Sequence, residues 1–224
     1  AAAKVDGDPC VAYLGPGSAG HYVKMVHNGI EYGLMQLTTE VYQVLSQLGG
    51  LSNRALSKVF DSWNQGRLQS FLVEITSKIF RQEDPLGEGD LIDAILDKAK
   101  QKGTGKWTSQ NAMDLGIPVP TIDIAVTMRA ISALKDKRME AQTLYPRQEP
   151  VPVEVGELEK LCEGALYFSF ITAYAQGLHQ LSAASGEYGY GLDVGTVARI
   201  WRAGCIIRAG ALDEISRAFD EENS

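Results

Sequence analysis

His21-Tyr22-Val23-Lys24-Met25-Val26-His27-Asn28-Gly29-Ile30-Glu31-Tyr32 sets both the fold and the direction in which the chemistry points. Lys24, His27, Asn28 and Glu31 fall at i, i+3, i+4 and i+7. At about 100° per residue they share one helix face, within an arc of roughly 100°. Val23, Val26, Ile30, Leu34, Leu37, Val41, Val44, Leu45 and Leu48 make an apolar stripe on the opposite side, about as wide. One side of this rod therefore enters a core. The other presents an amine, an imidazole, an amide and a carboxylate in one strip, a set able to bind an oxygen-rich substrate and to move protons.

The periodicity extends this helix from about Gly20 to Leu48, where Gly49-Gly50 stops it. Before it, residues 1–19 read as irregular, with Pro9, Gly15, Pro16 and Gly17 as breakers. After it, Ser52 or Asn53 caps a second helix ending near Gly66, and Leu68 to Gln82 gives a third. Glu83 to Gly89 is turn-rich, Leu91 to Lys100 is a shorter amphipathic segment, and Thr108 to Leu115 is helical in pattern. Thr121 is expected to cap a helix to about Arg138, and the prolines of Tyr145 to Pro152 mark a connection. Glu154 to Ser185 is the second long helix, followed by Asp193 to Ala203 and Gly210 to Asp220. The acidic end, Asp220 to Ser224, is expected to fray. Few segments alternate with period two, so the expected fold is all-α: a single domain over 1–224, multi-helical and built around two long helices.

With 224 residues, 45% of them hydrophobic and 22% charged, the chain can bury a sizeable core. A net charge of −7 and a pI of about 5.0 argue against a nucleic-acid partner, so local basic groups must carry any anion binding. Cys10, Cys162 and Cys205 have no metal-ligand spacing and suggest free thiols in a reducing compartment. Ala1-Ala2-Ala3-Lys4 lacks the length and apolar run of a signal peptide, so none is expected. The most apolar segment, Gly164 to Ala184, contains Gln176, His179 and Gln180 and reads as a buried core helix with no membrane role. A soluble, cytoplasmic protein is expected.

Each candidate has a plain structural alternative. The polar strip is either a site or the solvated face of an amphipathic helix. His27 borders the apolar stripe, and Asn28 disfavours a helix interior unless its side chain has a partner. Gly29 and Gly33 cost roughly 1 kcal/mol each relative to Ala and admit either a ligand or close packing. Gln101 to Thr108 is a basic loop whose Gly103 and Gly105 can turn backbone N–H groups toward an anion, with Lys102, Thr104 and Lys106 as further donors; a flexible turn is equally open. It lacks Walker spacing. Gly15-Pro16-Gly17-Ser18-Ala19-Gly20 lacks the glycine spacing and preceding strand of a dinucleotide fingerprint. Arg129, in an otherwise apolar helix, needs either a carboxylate such as Asp123 or Glu140 or an anionic ligand. His179 reads as a satisfied core histidine, and the Trp201–Arg208 region as packing, capping or a subunit contact.

Four stretches taken together resemble the C-terminal domain of the 6-phosphogluconate dehydrogenase family: Gly20 to Gly33, Gln101 to Thr108, Ser132-Ala133-Leu134-Lys135-Asp136, and Ile200 to Arg208. They occur in the family's order over nearly the whole chain. Gly20, Lys24 and Asn28 alone are shared with other β-hydroxyacid dehydrogenases, whereas His27, Glu31 and the Lys102 loop favour the phosphogluconate branch.

The resemblance implies NADP-dependent oxidative decarboxylation of 6-phosphogluconate to ribulose 5-phosphate, without a metal, by a homodimer with no nucleic-acid or membrane partner. It implies that Lys24 is the general base at the 3-hydroxyl and Glu31 the acid that protonates C1. His27, Asn28 and Tyr32 would hold the sugar-acid end; Lys102, Thr104 and Arg129 would hold the phosphate. The family begins with a Rossmann domain that binds NADP and ends in a tail that completes the neighbouring subunit's site. Neither is recognisable here, so little activity is expected of this chain by itself. An inert helical dimerisation module, and a related dehydrogenase with another acid substrate, are the competing readings.

Overall fold

The computed structural model describes residues 2–145 and 153–222. A two-strand antiparallel hairpin, β1 (Lys4–Val5) and β2 (Asp8–Pro9), opens the described chain. Its turn is Asp6-Gly7, both at positive φ (51° and 90°). This Asp-Gly turn chemistry lies in the stretch expected to be irregular. The rest is helical: α1 (Ala19–Gln47), α2 (Asn53–Trp63), α3 (Phe71–Phe80), α4 (Leu91–Ala94), α5 (Thr104–Asp114), α6 (Pro120–Ala133), α7 (Lys135–Leu144), α8 (Val155–Tyr188), α9 (Val194–Ile200) and α10 (Ala211–Glu222). The all-α expectation holds, and α1 and α8, of 29 and 34 residues, are the two long helices.

The core forms where α8 lies along α1, with α5 and α6 also packed on α1. Val23, Val26, Ile30 and Leu34 of the predicted stripe are buried against Phe170, Ala173, Tyr174 and Leu178 of α8 in one hydrophobic cluster. The two rods approach closely because Gly177 has no side chain: a Cβ there would lie 2.6 Å from Ile30 Cγ1. The Tyr174 hydroxyl, deep in this layer, donates to the Ile207 carbonyl at 2.6 Å and so ties α8 to the segment after α9. Ser52 and Ser70 cap α2 and α3, and α8 begins at Glu154, whose carboxylate accepts from the Gly156 and Glu157 N–H groups. It ends at Gly189 in the left-handed region.

Three boundaries depart from the periodicity. α5 starts at Thr104, so Lys106 and Trp107 lie in its first turn and not in a loop. The segment after Leu91 is helical only to Ala94; residues 95–100 form an exposed, non-helical strap. The helix expected from Thr121 to Arg138 is two helices, broken at Leu134 (φ −85°, ψ 47°). Pro120 takes the first position of α6, where its fixed φ suits a helix start. Thr121 is not the cap; its backbone N–H and hydroxyl pair with the Gln176 side chain of α8. The connection expected over Tyr145 to Pro152 and the fraying expected at the C-terminus fall largely outside the described residues.

Candidate functional site

The polar strip of α1 is a connected set of side chains. Lys24 is exposed, and its Nζ lies 3.1 Å from His27 Nδ1. The same nitrogen lies 3.1 Å from Asn28 Oδ1 and 3.9 Å from a Glu31 carboxylate oxygen. His27 thus sits between the amine and the carboxyl group, which are two turns apart on the rod. Its ring is only 2% exposed and stands edge-on to Trp201, with centroids 5.7 Å apart. Its Nε2 is buried without a hydrogen-bond partner among the described residues.

These contacts couple two protons. Asn28 donates from Nδ2 to Thr104 Oγ1 at 3.1 Å, which aims its carbonyl oxygen at His27. That oxygen can only accept, so it favours the tautomer with the proton on Nδ1. An ammonium on Lys24 favours the opposite tautomer, because it needs a bare Nδ1 to donate to. The imidazole tautomer therefore follows the protonation state of the neighbouring amine. Burial, with the Lys24 charge beside it, lowers the His27 pKa to about 4, the Asn28 hydrogen bond opposing; the ring is neutral at neutral pH. Glu31 shifts the other way. Its side chain is 17% exposed, and burial raises its pKa against the opposing pull of Lys24 and Arg129. A raised carboxyl beside a lysine on one wall suits acid–base work.

The second wall is the N-terminus of α5. Gly103, at φ 104°, turns the chain into the helix and has no capping side chain to offer. The Thr104, Gly105 and Lys106 N–H groups precede the first helical bond, from the Trp107 N–H to the Gly103 carbonyl at 2.9 Å, so no helical carbonyl takes them. Two glycines bring this end onto α1. A Cβ on Gly29 would lie 2.6 Å from Thr108 Cγ2, and a Cβ on Gly105 would lie 2.6 Å from the Tyr32 ring. Thr108 is buried; its single hydroxyl proton is shared between the carbonyls of Met25 and Thr104, at 2.9 Å each. The glycines flagged in the sequence thus serve helix–helix contact, and that contact is what lets Asn28 meet Thr104.

Arg129 reaches the same corner from α6. Its guanidinium lies over the Tyr32 ring, 3.6 Å from the centroid, and Nη1 donates to the Lys100 carbonyl at 2.6 Å. Neither Asp123 nor Glu140 is its partner, which leaves the anionic-ligand alternative. Asp123 is six residues back, about 240° around the helix, and Glu140 lies past the break at Leu134. Lys102 is exposed, midway in sequence between Lys100 and Thr104, and forms no ion pair with the described residues. Lys24, His27 and Asn28 are thus joined by hydrogen bonds, Glu31 stands 3.9 Å from the His27 ring on the same face, Thr104, Tyr32 and Arg129 adjoin them, and Lys102 is only near in sequence.

His179 is not a core histidine. It is exposed on α8, one residue outside the buried stripe; Gln180 next to it is fully buried and donates to the Thr108 carbonyl and the Tyr22 hydroxyl. Trp201 against His27 was not anticipated, since no local pattern links positions so far apart. Arg202 and Arg208 pair with Asp213 and Glu74, so that motif packs and caps. No helix among the described residues is long and apolar enough to cross a membrane.

Residues 20–224 match the family model described as 6-phosphogluconate dehydrogenase, C-terminal domain. The chain is 53% identical to an NADP-dependent, decarboxylating 6-phosphogluconate dehydrogenase of Bacillus subtilis over 98% of its own length and 47% of the relative's. It is 51% identical to a decarboxylating 6-phosphogluconate dehydrogenase of Lactococcus lactis, covering 100% of this chain and 48% of that one. A solved Plasmodium falciparum 6-phosphogluconate dehydrogenase, described as apo and in complex with NADP+ and with 6-phosphogluconate, superposes with a TM-score of 0.95. That protein is 44% identical, with 99% of this chain and 48% of that one covered. The chain spans about half the length of the curated relatives it matches.

Proposed function

Because this chain belongs to the 6-phosphogluconate dehydrogenase family, we propose that it is the substrate-holding helical part of an enzyme that oxidises and decarboxylates 6-phosphogluconate to ribulose 5-phosphate and CO2. NADP would accept the hydride. Among the described residues the strands are a single two-residue antiparallel pair, which does not make a dinucleotide cradle. The nucleotide would therefore be held mainly by residues outside this chain, and the steps assigned here concern the sugar acid and its protons.

The connected Lys24–His27–Glu31 strip supports this reading best. Lys24, as a neutral amine, takes the proton of the 3-hydroxyl as hydride leaves C3. The resulting 3-keto acid loses CO2, and the enediol left behind takes a proton at C1 from Glu31, whose raised pKa favours the protonated form needed for that step. His27, held neutral, stays next to the base without adding a second positive charge. Asn28 and Tyr32 orient the sugar acid. Thr104, Arg129, the open N-terminus of α5 and Lys102 receive the phosphate. A homodimer and a cytoplasmic location belong to the same proposal, with Leu161 and Phe168 exposed on α8 as apolar surface for a second copy.

In the complete gene product, Lys24→Ala should abolish NADPH formation from 6-phosphogluconate while leaving substrate binding measurable. Near-normal turnover would remove the base from Lys24. Calorimetry of this chain with 6-phosphogluconate should give binding that Arg129→Ala loses, and the chain alone should form little or no NADPH.

A further inference from the structure

The strap from Ile95 to Lys100 leads directly into the proposed phosphate corner, yet it has no apolar anchor. Residues 93–102 are all exposed. What holds the strap is polar and comes from the junction of α6 and α7. Asp97 is gripped by Lys135 and by Arg138, the latter at 2.8 Å. Arg138 also donates from Nη2 to the Asp97 carbonyl at 2.9 Å and to the Ser132 carbonyl at 3.0 Å. Ser132 Oγ accepts from the Ala99 N–H at 2.9 Å. The break at Leu134 makes this possible: it sets the first turn of α7 at an angle to the last turn of α6. The hydrogen bonds from Lys135 and Arg138 hold the Asp97 carboxyl down to about 2, so the grip persists throughout the physiological range. Three residues on, the Lys100 carbonyl receives Arg129. Lys102 and the turn at Gly103 follow at once.

We propose that Asp97, clamped by Lys135 and Arg138, is a positioning residue that sets the placement of Arg129 and Lys102 and so selects a phosphorylated over an unphosphorylated sugar acid. This rests on the reading of the corner given above. Exposed ion pairs contribute little to global stability. The clamp's effect is local: without it a short segment with no buried side chain drifts, and the Lys100 carbonyl no longer orients Arg129.

The experiment uses the complete gene product with Asp97→Ala and Asp97→Glu. With 6-phosphogluconate, Asp97→Ala should raise KM about tenfold and leave kcat within about twofold. With gluconate, which lacks the phosphate, kcat/KM should stay at the wild-type value, and Asp97→Glu should recover part of the lost affinity. An unchanged KM for the phosphorylated substrate, or an equal loss on both substrates, overturns the proposal. If Asp97→Ala does not unfold cooperatively, Lys135→Ala takes its place; it should give a smaller rise in the same KM.

A second readout does not depend on turnover. Trp107, 52% exposed beside Gly103, is the one exposed indole among the chain's three, and its emission can report inorganic phosphate at this corner. Asp97→Ala should weaken phosphate about tenfold. Weakened phosphate binding in a protein that does not turn over 6-phosphogluconate would sink the assigned reaction and uphold the clamp. Normal turnover with both KM and phosphate binding unmoved would do the reverse.

Discussion

Gly29→Ala tests whether the α1–α5 contact or helix propensity governs the centre of α1. Propensity alone favours the change by about 1 kcal/mol, since Gly is the poorer residue in a helix interior. The contact opposes it. The new Cβ would lie 2.6 Å from Thr108 Cγ2 and 2.9 Å from both Thr108 Cβ and Oγ1, where an ordinary contact needs about 3.5–4 Å. Thr108 cannot rotate away cheaply, because its hydroxyl is bonded to two carbonyls in a buried site. Overpacking of this kind costs about 1–3 kcal/mol, so the net change should be a loss of up to about 2 kcal/mol. In a chain of 224 residues that is a fall in Tm of up to about 4–8 °C. Moving α5 outward would also lengthen the Asn28–Thr104 hydrogen bond, so affinity for 6-phosphogluconate should fall with it. Gly186→Ala is the control: it lies in α8 with nothing within 4 Å of a new Cβ, and should gain up to about 1 kcal/mol. Urea and thermal melts followed by circular dichroism measure both. If Gly29→Ala proves as stabilising as Gly186→Ala, the close packing of α5 on α1 has been misjudged.

His27 should make stability pH-dependent. Its pKa falls from 6.5 to about 4 on folding, so its contribution is fully present above pH 6.5 and is lost as pH drops through 4. The slope integrates to about 3 kcal/mol, and His27→Gln should flatten it; urea midpoints at intervals across that window give the answer, and equal slopes would refute the assignment. Tyr174→Phe should cost about 1–2 kcal/mol by leaving the Ile207 carbonyl without its buried donor, and an unmoved urea midpoint would count against that bond. Leu181→Ala, at a fully buried position of α8, should cost about 2–5 kcal/mol, read from the same melts.

Much of this architecture was legible because it is periodic. Of the stripe, Val23, Val26, Ile30, Leu34 and Leu45 are buried as the spacing requires, Leu37, Val41 and Val44 are half-buried and Leu48 is exposed at the helix end, and Lys24, His27, Asn28 and Glu31 share a face because a helix leaves them no alternative. What escaped depends on tertiary contact or on local turn chemistry. Leu134 breaks a run that helix periodicity alone would continue, and the reward for the break lies in the Arg138 and Asp97 contacts across the strap. For Arg129 only the carboxylate alternative falls, since its partners within the chain are an aromatic face and a main-chain carbonyl, which leave no signature at fixed spacing; the anionic-ligand alternative is the proposed phosphate contact. His179 was assigned inward from the apolar character of its surroundings, although it falls one residue off the buried arc. Gly29 stands out in the sequence as a costly helix residue, but the neighbour that needs its space does not, and Gly105 reads there as part of an anion-binding loop although it lies in α5 against Tyr32.

The tight contact of the two long rods at Gly177, against Ile30 and Val26, sits beneath the very turns that bear His27, Asn28 and Glu31. Chemistry and cohesion share a spine. The exposed and half-buried side chains above it, unlike His27, can be exchanged without disturbing what lies under them, so a changed specificity is accessible by substitution there. The backbone beneath has no comparable freedom. It cannot breathe separately from the interior, and heat should end ligand affinity and cooperative structure at one and the same temperature.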